Sequence, residues 1–162
     1  MVHAVHATVG RRLLTMLAAL AVILASTLLV SPEADAATRW EKVQNARRIA
    51  VNQLGDPYAY GAAGPHRFDC SGLIYFATHR AGLTGVPRSS GQQARFMRPV
   101  KKRNMRRGDF MFFYNSGGVY HAAIFLGWDN GRARLLHSPR SGSRVHRTHA
   151  WTSSWFGRTL RW

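Results

Sequence analysis

The chain has 162 residues, 23 lysines and arginines against seven acidic residues, and a formal net charge of +16. Its single cysteine excludes an intramolecular disulfide framework, so the fold must stand on an apolar core. The charge calls for a polyanionic partner or serves only to keep the chain soluble, and nucleic acid is not the expected target of a chain that opens as this one does.

Arg11-Arg12 precede an apolar run from Leu13 to Val30, which Ser31-Pro32-Glu33-Ala34-Asp35-Ala36 then ends. A basic stretch, an apolar stretch and a small-x-small site in that order predict a signal peptide cleaved after Ala36. An uncleaved membrane anchor is the alternative, because the run approaches the ~18 to 20 residues that span a bilayer. Pro32 as a helix breaker favours cleavage. The arginine pair is also the minimal element of a twin-arginine export signal. The expected organisation is residues 1–36 as signal and 37–162 as one exported domain, secreted or associated with the cell wall, which touches membrane only if the signal stays attached. Removing residues 1–36 takes away two arginines and two acids, so the domain keeps the whole charge.

Thr38-Arg39-Trp40-Glu41 has the form of a capping box, and Val43, Ala46, Ile49, Ala50 and Leu54 follow at helical spacing before Gly55. The next segment, 56–65, is rich in turn formers and predicts a loop that lays Tyr58 and Tyr60 along a surface. Asp69 caps a predicted second helix whose buried face is Leu73, Ile74, Phe76 and Ala77, with Gly82 as the stop. Ser90-Gly91-Gln92-Gln93 repeats the capping pattern and predicts a short third helix. The basic stretch 98–107 has no periodic apolar face. Strands are expected at Phe110 to Phe113, His121 to Leu126, Arg132 to His137, Ser143 to His146 and Arg158 to Trp162, with Asp129-Asn130-Gly131 as a hairpin turn. Helices first and strands afterwards predict an α+β domain with N-terminal helices packed on one face of an antiparallel sheet.

Cys70 is expected at the start of the second helix, where free N–H groups and the helix dipole lower a thiol's pKa and can hold an oxyanion. A small buried hydrophobe is the plainer reading of the same residue. Of eight histidines, His121 opens an apolar strand and His137 closes its hairpin neighbour, so the two rings are placed to meet. Nucleophile, base and orienter then follow in the order Cys70, His121, His137, with ordinary surface histidines as the competing reading. A metal site on His137, His146 and His149 is the rival chemistry. Neither an H-E-x-x-H helix nor a cysteine pair accompanies it.

Five blocks in order resemble the NlpC/P60 family of papain-like bacterial cell-wall cysteine peptidases. Gly55-Asp56-Pro57-Tyr58-Ala59-Tyr60-Gly61 is similar to G-x-P-Y-x-W-G, and Phe68-Asp69-Cys70-Ser71-Gly72-Leu73-Ile74 contains a close match to D-C-S-G-L-V. Pro87 to Gln93 resembles P-R-x-S/T-x-x-Q, and Arg107 to Phe113 resembles P-G-D-L-V-F-F. His121 to Gly127 resembles H-V-G-I-Y-L-G, with Leu136-His137-Ser138-Pro139 similar to the following I-H-A-P. Tyr60 stands in place of a common Trp, and Ala62 and Ala123 in place of common glycines, which bears on substrate detail more than on catalysis.

The resemblance implies a papain-like α+β fold with Cys70 as nucleophile, His121 as base and later acid, and His137 as orienter. It implies that Tyr58 lies near the oxyanion, that Asp69 and Ser71 hold the free amino end of a peptide, and that Arg88 lines the cleft. The implied substrate is the peptidoglycan stem peptide, cut between D-glutamate and a diamino acid, with no metal and no cofactor. An amidase or acyltransferase on the same fold, or a non-catalytic basic wall-binding module, is the alternative. Lys101, Lys102, Arg103, Arg106 and Arg107 are the expected contacts to anionic wall polymers.

Overall fold

The computed structural model describes residues 32–162. The expected signal segment lies outside these residues except for its last five. Helix α1 runs Pro32–Val51 and so starts before the Thr38 capping box, within the helix the box was expected to begin. Pro32 begins this helix instead of breaking it, since the first helical position needs no N–H partner and suits proline's fixed φ. Residues Ala36–Trp162 pack as one unit. Among the described residues no helix is long and apolar enough to cross a membrane.

Helix α2, Cys70–Arg80, begins where expected: Asp69 is extended (φ −92°, ψ −179°) and its carboxylate accepts from the Gly72 N–H. Helix α3, Ser90–Phe96, takes Ser89 as its cap, one residue before the predicted box. The Ser89 hydroxyl bonds the Gln92 side chain at 2.8 Å instead of a backbone N–H.

The six strands are β1 Arg98–Val100, β2 Phe110–Asn115, β3 Gly118–Asp129, β4 Arg132–His137, β5 His146–His149 and β6 Trp155–Thr159. They form one antiparallel sheet in the order β1-β6-β2-β3-β4-β5. The basic stretch supplies the edge strand β1 and a short 3₁₀ turn, Lys102–Asn104. An edge strand needs no periodic apolar face, which is why its sequence reads as irregular.

Two predicted strands are displaced. Val145 is not in the sheet, because its N–H and C=O bond Asp56 and Gly55 in the loop after α1, so β5 starts at His146. The last strand lies at Trp155–Thr159 and not at Arg158 to Trp162. Its Gly157 hides it from a pattern search, since glycine ordinarily weakens a strand. Here a Cβ at 157 would sit 2.9 Å from the Val100 carbonyl oxygen and 2.7 Å from the Met105 sulfur. The close approach of β1 therefore requires glycine.

Alternate residues of the central strands feed two apolar clusters. Phe110, Phe112, Ala122, Ile124 and Leu136 pack with Val43, Ala46, Leu73, Ile74 and Ala77 of α1 and α2. Met111, Phe113, Ala123, Phe125, Ala133 and Leu135 pack with Met105 and Trp155. With both faces covered, the strands read as continuous apolar runs in place of a polar-apolar alternation. Truncating one of these side chains, such as Phe112, would cost about 3 to 5 kcal/mol.

Candidate active site

Cys70 is the first residue of α2 and lines a cleft of about 470 Å³ together with Tyr58, Asp69, Ser71, Arg88 and His121. The loop 59–63 can lie against the start of this helix because position 72 is glycine: a Cβ there would fall 2.0 Å from the Ala62 carbonyl oxygen. The Cys70 sulfur faces backbone N–H groups of Ala122, Ser71 and Cys70 itself, which puts it beside the residue that follows His121. These N–H groups favour the thiolate. Burial opposes it more strongly and, with the Asp69 charge, pushes the thiol pKa up. The lowered thiol pKa expected from the helix dipole is thus corrected. The thiol is shielded from water, and loss of hydration outweighs the dipole. Tyr58 is also held protonated, by burial first and then by Cys70 and Asp69, so its hydroxyl remains a donor in the cleft.

His121 and His137 lie on adjacent strands, with His121 Nε2 3.0 Å from His137 Nδ1. Both rings are buried. Burial lowers the His121 pKa to about 4. It also lowers that of His137, to about 3, with the His121 and His146 charges adding to the effect. Both are therefore neutral at pH 7. The chain of contacts continues, with His137 Nε2 3.1 Å from His146 Nε2 and His146 Nδ1 2.7 Å from the Arg144 carbonyl oxygen. The register sets this up, since His137 is paired with His146 across β4 and β5. Trp151 packs against both inner rings at 5.6 Å between centroids.

The opposite wall is charged. Asp69 Oδ1 accepts from Gly72 N–H at 2.6 Å and Arg88 at 3.1 Å. Its Oδ2 accepts from Gly61 N–H at 2.9 Å and Arg88 at 2.7 Å. The Ser71 hydroxyl bonds Oδ1 at 3.3 Å and accepts from Arg88 at 3.1 Å. Asp69, expected from the resemblance to hold a peptide amine, here spends both oxygens on donors within the protein. Arg88, expected only to line the cleft, neutralises it.

Sequence reasoning did not place Ser89, Ser90, Tyr120 or Pro139 in the cleft, which they line. Tyr120 could have been found as the residue before the His121 position, since it is exposed beside it. Sequence reasoning gave His146 a role only in the rival metal set, and it lies opposite His137 because β5 starts at His146. The rival metal set does not converge: His146 faces His137, and His149 pairs with Asp129 at 2.9 Å. Among the described residues no group of three histidines, cysteines or carboxylates could hold a metal ion.

The expected basic contacts are distributed. Lys102 donates to the Ser153 carbonyl and lies 4.1 Å over the Trp155 ring. Arg103 and Arg106 line a hollow with Arg161. Arg107 lines a cleft of about 190 Å³ with Arg47, Arg134 and Arg147. Burial and then the charges of Arg107 and Arg48 lower the Arg47 pKa. None of these four arginines belongs to an ion pair among the described residues.

Residues 55–161 match the NlpC/P60 family. Murein DD-endopeptidase MepH of Escherichia coli is 32% identical over 70% of this chain and 44% of its own length. Gamma-D-glutamyl-L-lysine dipeptidyl-peptidase of Bacillus subtilis is 33% identical over 57% of this chain and 30% of its own. The solved structure of the peptidoglycan hydrolase RipB from Mycobacterium tuberculosis superposes with a TM-score of 0.64 at 29% identity, covering 80% of this chain and 68% of that one. The chain thus spans less than half the length of these two curated relatives. With the family's residues in sequence order and its helices and antiparallel sheet in place, the chain belongs to the NlpC/P60 family.

Proposed function

We propose that the protein is an exported cysteine endopeptidase that hydrolyses peptidoglycan stem peptides, with Cys70 as nucleophile, His121 as base and His137 as orienter. The observation that carries this reading is His121 lining the same cleft as Cys70 while hydrogen-bonded to the buried His137. The names of the similar proteins support the substrate class.

The resting site holds a neutral thiol and a neutral imidazole, because burial disfavours both ions. His121 therefore takes the thiol proton as sulfur attacks the amide carbonyl. Backbone N–H groups at the start of α2 receive the oxyanion, with the Tyr58 hydroxyl as a further donor. His121 then gives its proton to the leaving amine, and water, deprotonated by the same ring, releases the acyl group from sulfur.

The bond proposed is the one between D-glutamate and a diamino acid, in line with the name of the Bacillus enzyme. The name of MepH specifies a DD bond, so product identity decides between them. The arginine cleft around Arg107 and the hollow at Arg103 and Arg106 are proposed to hold anionic wall polymers, which would retain the enzyme at its substrate.

The test is digestion of purified peptidoglycan by the full chain and by Cys70→Ala, with released peptides identified by mass spectrometry. New amino ends on the diamino acid with the parent alone are expected. Cleavage between D-residues would move the bond, transfer to an amine acceptor would make it an acyltransferase, and no products from several wall types would leave a binding module.

A further inference from the structure

We infer that His146 is a positioning residue that fixes which nitrogen of His121 serves as base, and that its protonation switches the site off. The inference rests on the cysteine-hydrolase reading and adds to it a residue and a means of control.

The argument is proton bookkeeping along the chain of rings. A carbonyl oxygen can only accept, so His146 must carry its proton on Nδ1, 2.7 Å from the Arg144 carbonyl. A neutral His146 then has a bare Nε2, and His137 must donate to it from its own Nε2 across 3.1 Å. That leaves His137 Nδ1 bare, so His121 donates from Nε2 across 3.0 Å. His121 Nδ1 is left as the ring nitrogen free to take the thiol proton. With all three rings neutral no other arrangement satisfies every contact. None of the three rings pairs with a carboxylate among the described ion pairs. The Arg144 carbonyl therefore does the orienting that an acidic residue performs in a triad.

His146 is exposed whereas His121 and His137 are buried. Solvent protons thus reach the far end of the chain first. A protonated His146 carries N–H on both nitrogens and must donate from Nε2. His137 Nε2 becomes the acceptor, its Nδ1 takes the proton, and His121 Nε2 becomes an acceptor in turn. His121 Nδ1 now bears hydrogen and cannot accept from Cys70. One proton at the surface has reversed two tautomers. His137 faces His146 across β4, and the charged residues next to it on its own segment are Arg144 and Arg147.

The test compares His146→Gln, His146→Ala and His146→Lys in the full chain. Glutamine can accept from His137, alanine leaves the contact to water, and lysine can only donate. Wall digestion at pH 7.5 is expected to fall in that order, with the glutamine variant near the parent and the lysine variant losing on the order of 10²- to 10⁴-fold, the cost of a wrongly set catalytic proton. The glutamine variant should also keep activity at acid pH where the parent loses it. The ¹⁵N spectrum of the imidazoles reads the tautomers without any turnover, and His121 Nδ1 should be bare in the parent and protonated in the folded lysine variant. A bare His121 Nδ1 in every variant, or equal activity with glutamine and lysine, would overturn the assignment. An inactive parent with the expected tautomers would sink the hydrolase reading alone.

Discussion

On one side of the cleft a carboxylate and a guanidinium are locked together in the node of Asp69, Ser71 and Arg88, and on the other three imidazoles pass hydrogen bonds along a line whose two buried rings are uncharged at pH 7. Both solve the cost of burying polar atoms, which is steep unless each finds a partner. They do so with different consequences. The Asp69 node has one proton arrangement and holds the α2 terminus and the 59–63 loop in place. The imidazole line has one while all three rings are neutral, and would take a second if His146 gained a proton, because His121 and His137 can each donate from either nitrogen. Fixed geometry and reversible polarity thus face each other across Cys70.

Removing the proposed base should have the largest effect. His121→Ala is expected to cut turnover on peptidoglycan by about 10²- to 10⁴-fold with the thermal midpoint nearly kept, and a variant that loses both would place His121 among the folding groups. Arg88→Met should do the reverse. It strands the buried Asp69 carboxylate and should cost about 2 to 3 kcal/mol in urea unfolding, a figure reduced because Arg88 is about a third exposed. A loss of activity without loss of stability would make Arg88 a substrate contact first.

Smaller effects follow from the neutral line. The imidazoles of His121 and His137 bind protons near pH 6.5 when unfolded but only at about 4 and about 3 when folded. The unfolded chain therefore holds more protons between those values, and stability falls as pH drops from 6.5 towards 4. Urea midpoints at pH 7, 5.5 and 4.5 measure this, and His137→Asn should flatten the slope. Because the resting thiol is neutral, alkylation of Cys70 by iodoacetamide should climb steadily above pH 7. A plateau reached by pH 5 would indicate a preformed thiolate–imidazolium pair instead.

How much of this the sequence discloses depends on whether a residue's role is local. The Asp69 cap is local, since a short acceptor three residues before a free N–H needs no distant partner, and α2 starts where that cap predicts. The meeting of His121 and His137 across a hairpin was also legible, because Asp129-Asn130-Gly131 pairs β3 with β4 in the structure. β1 and β6 were not legible, since each is defined by the other over some sixty residues and Gly157 conceals the pattern. Arg88 meets Asp69 across 19 positions, so no spacing rule could mark it as the neutralising partner. His146 was hidden by the loop bonds of Val145, which shift β5 away from its apparent place.

The strand order carries a consequence for how the molecule comes into being. β6, close to the last residue, is seated between β1 and β2. Until Trp155–Thr159 have been synthesised, β2 presents Phe110-Met111-Phe112-Phe113 along an unpaired edge, a template for pairing with other chains. A chain stopped short of Trp155 would keep every residue assigned to the chemistry and still be prone to aggregate.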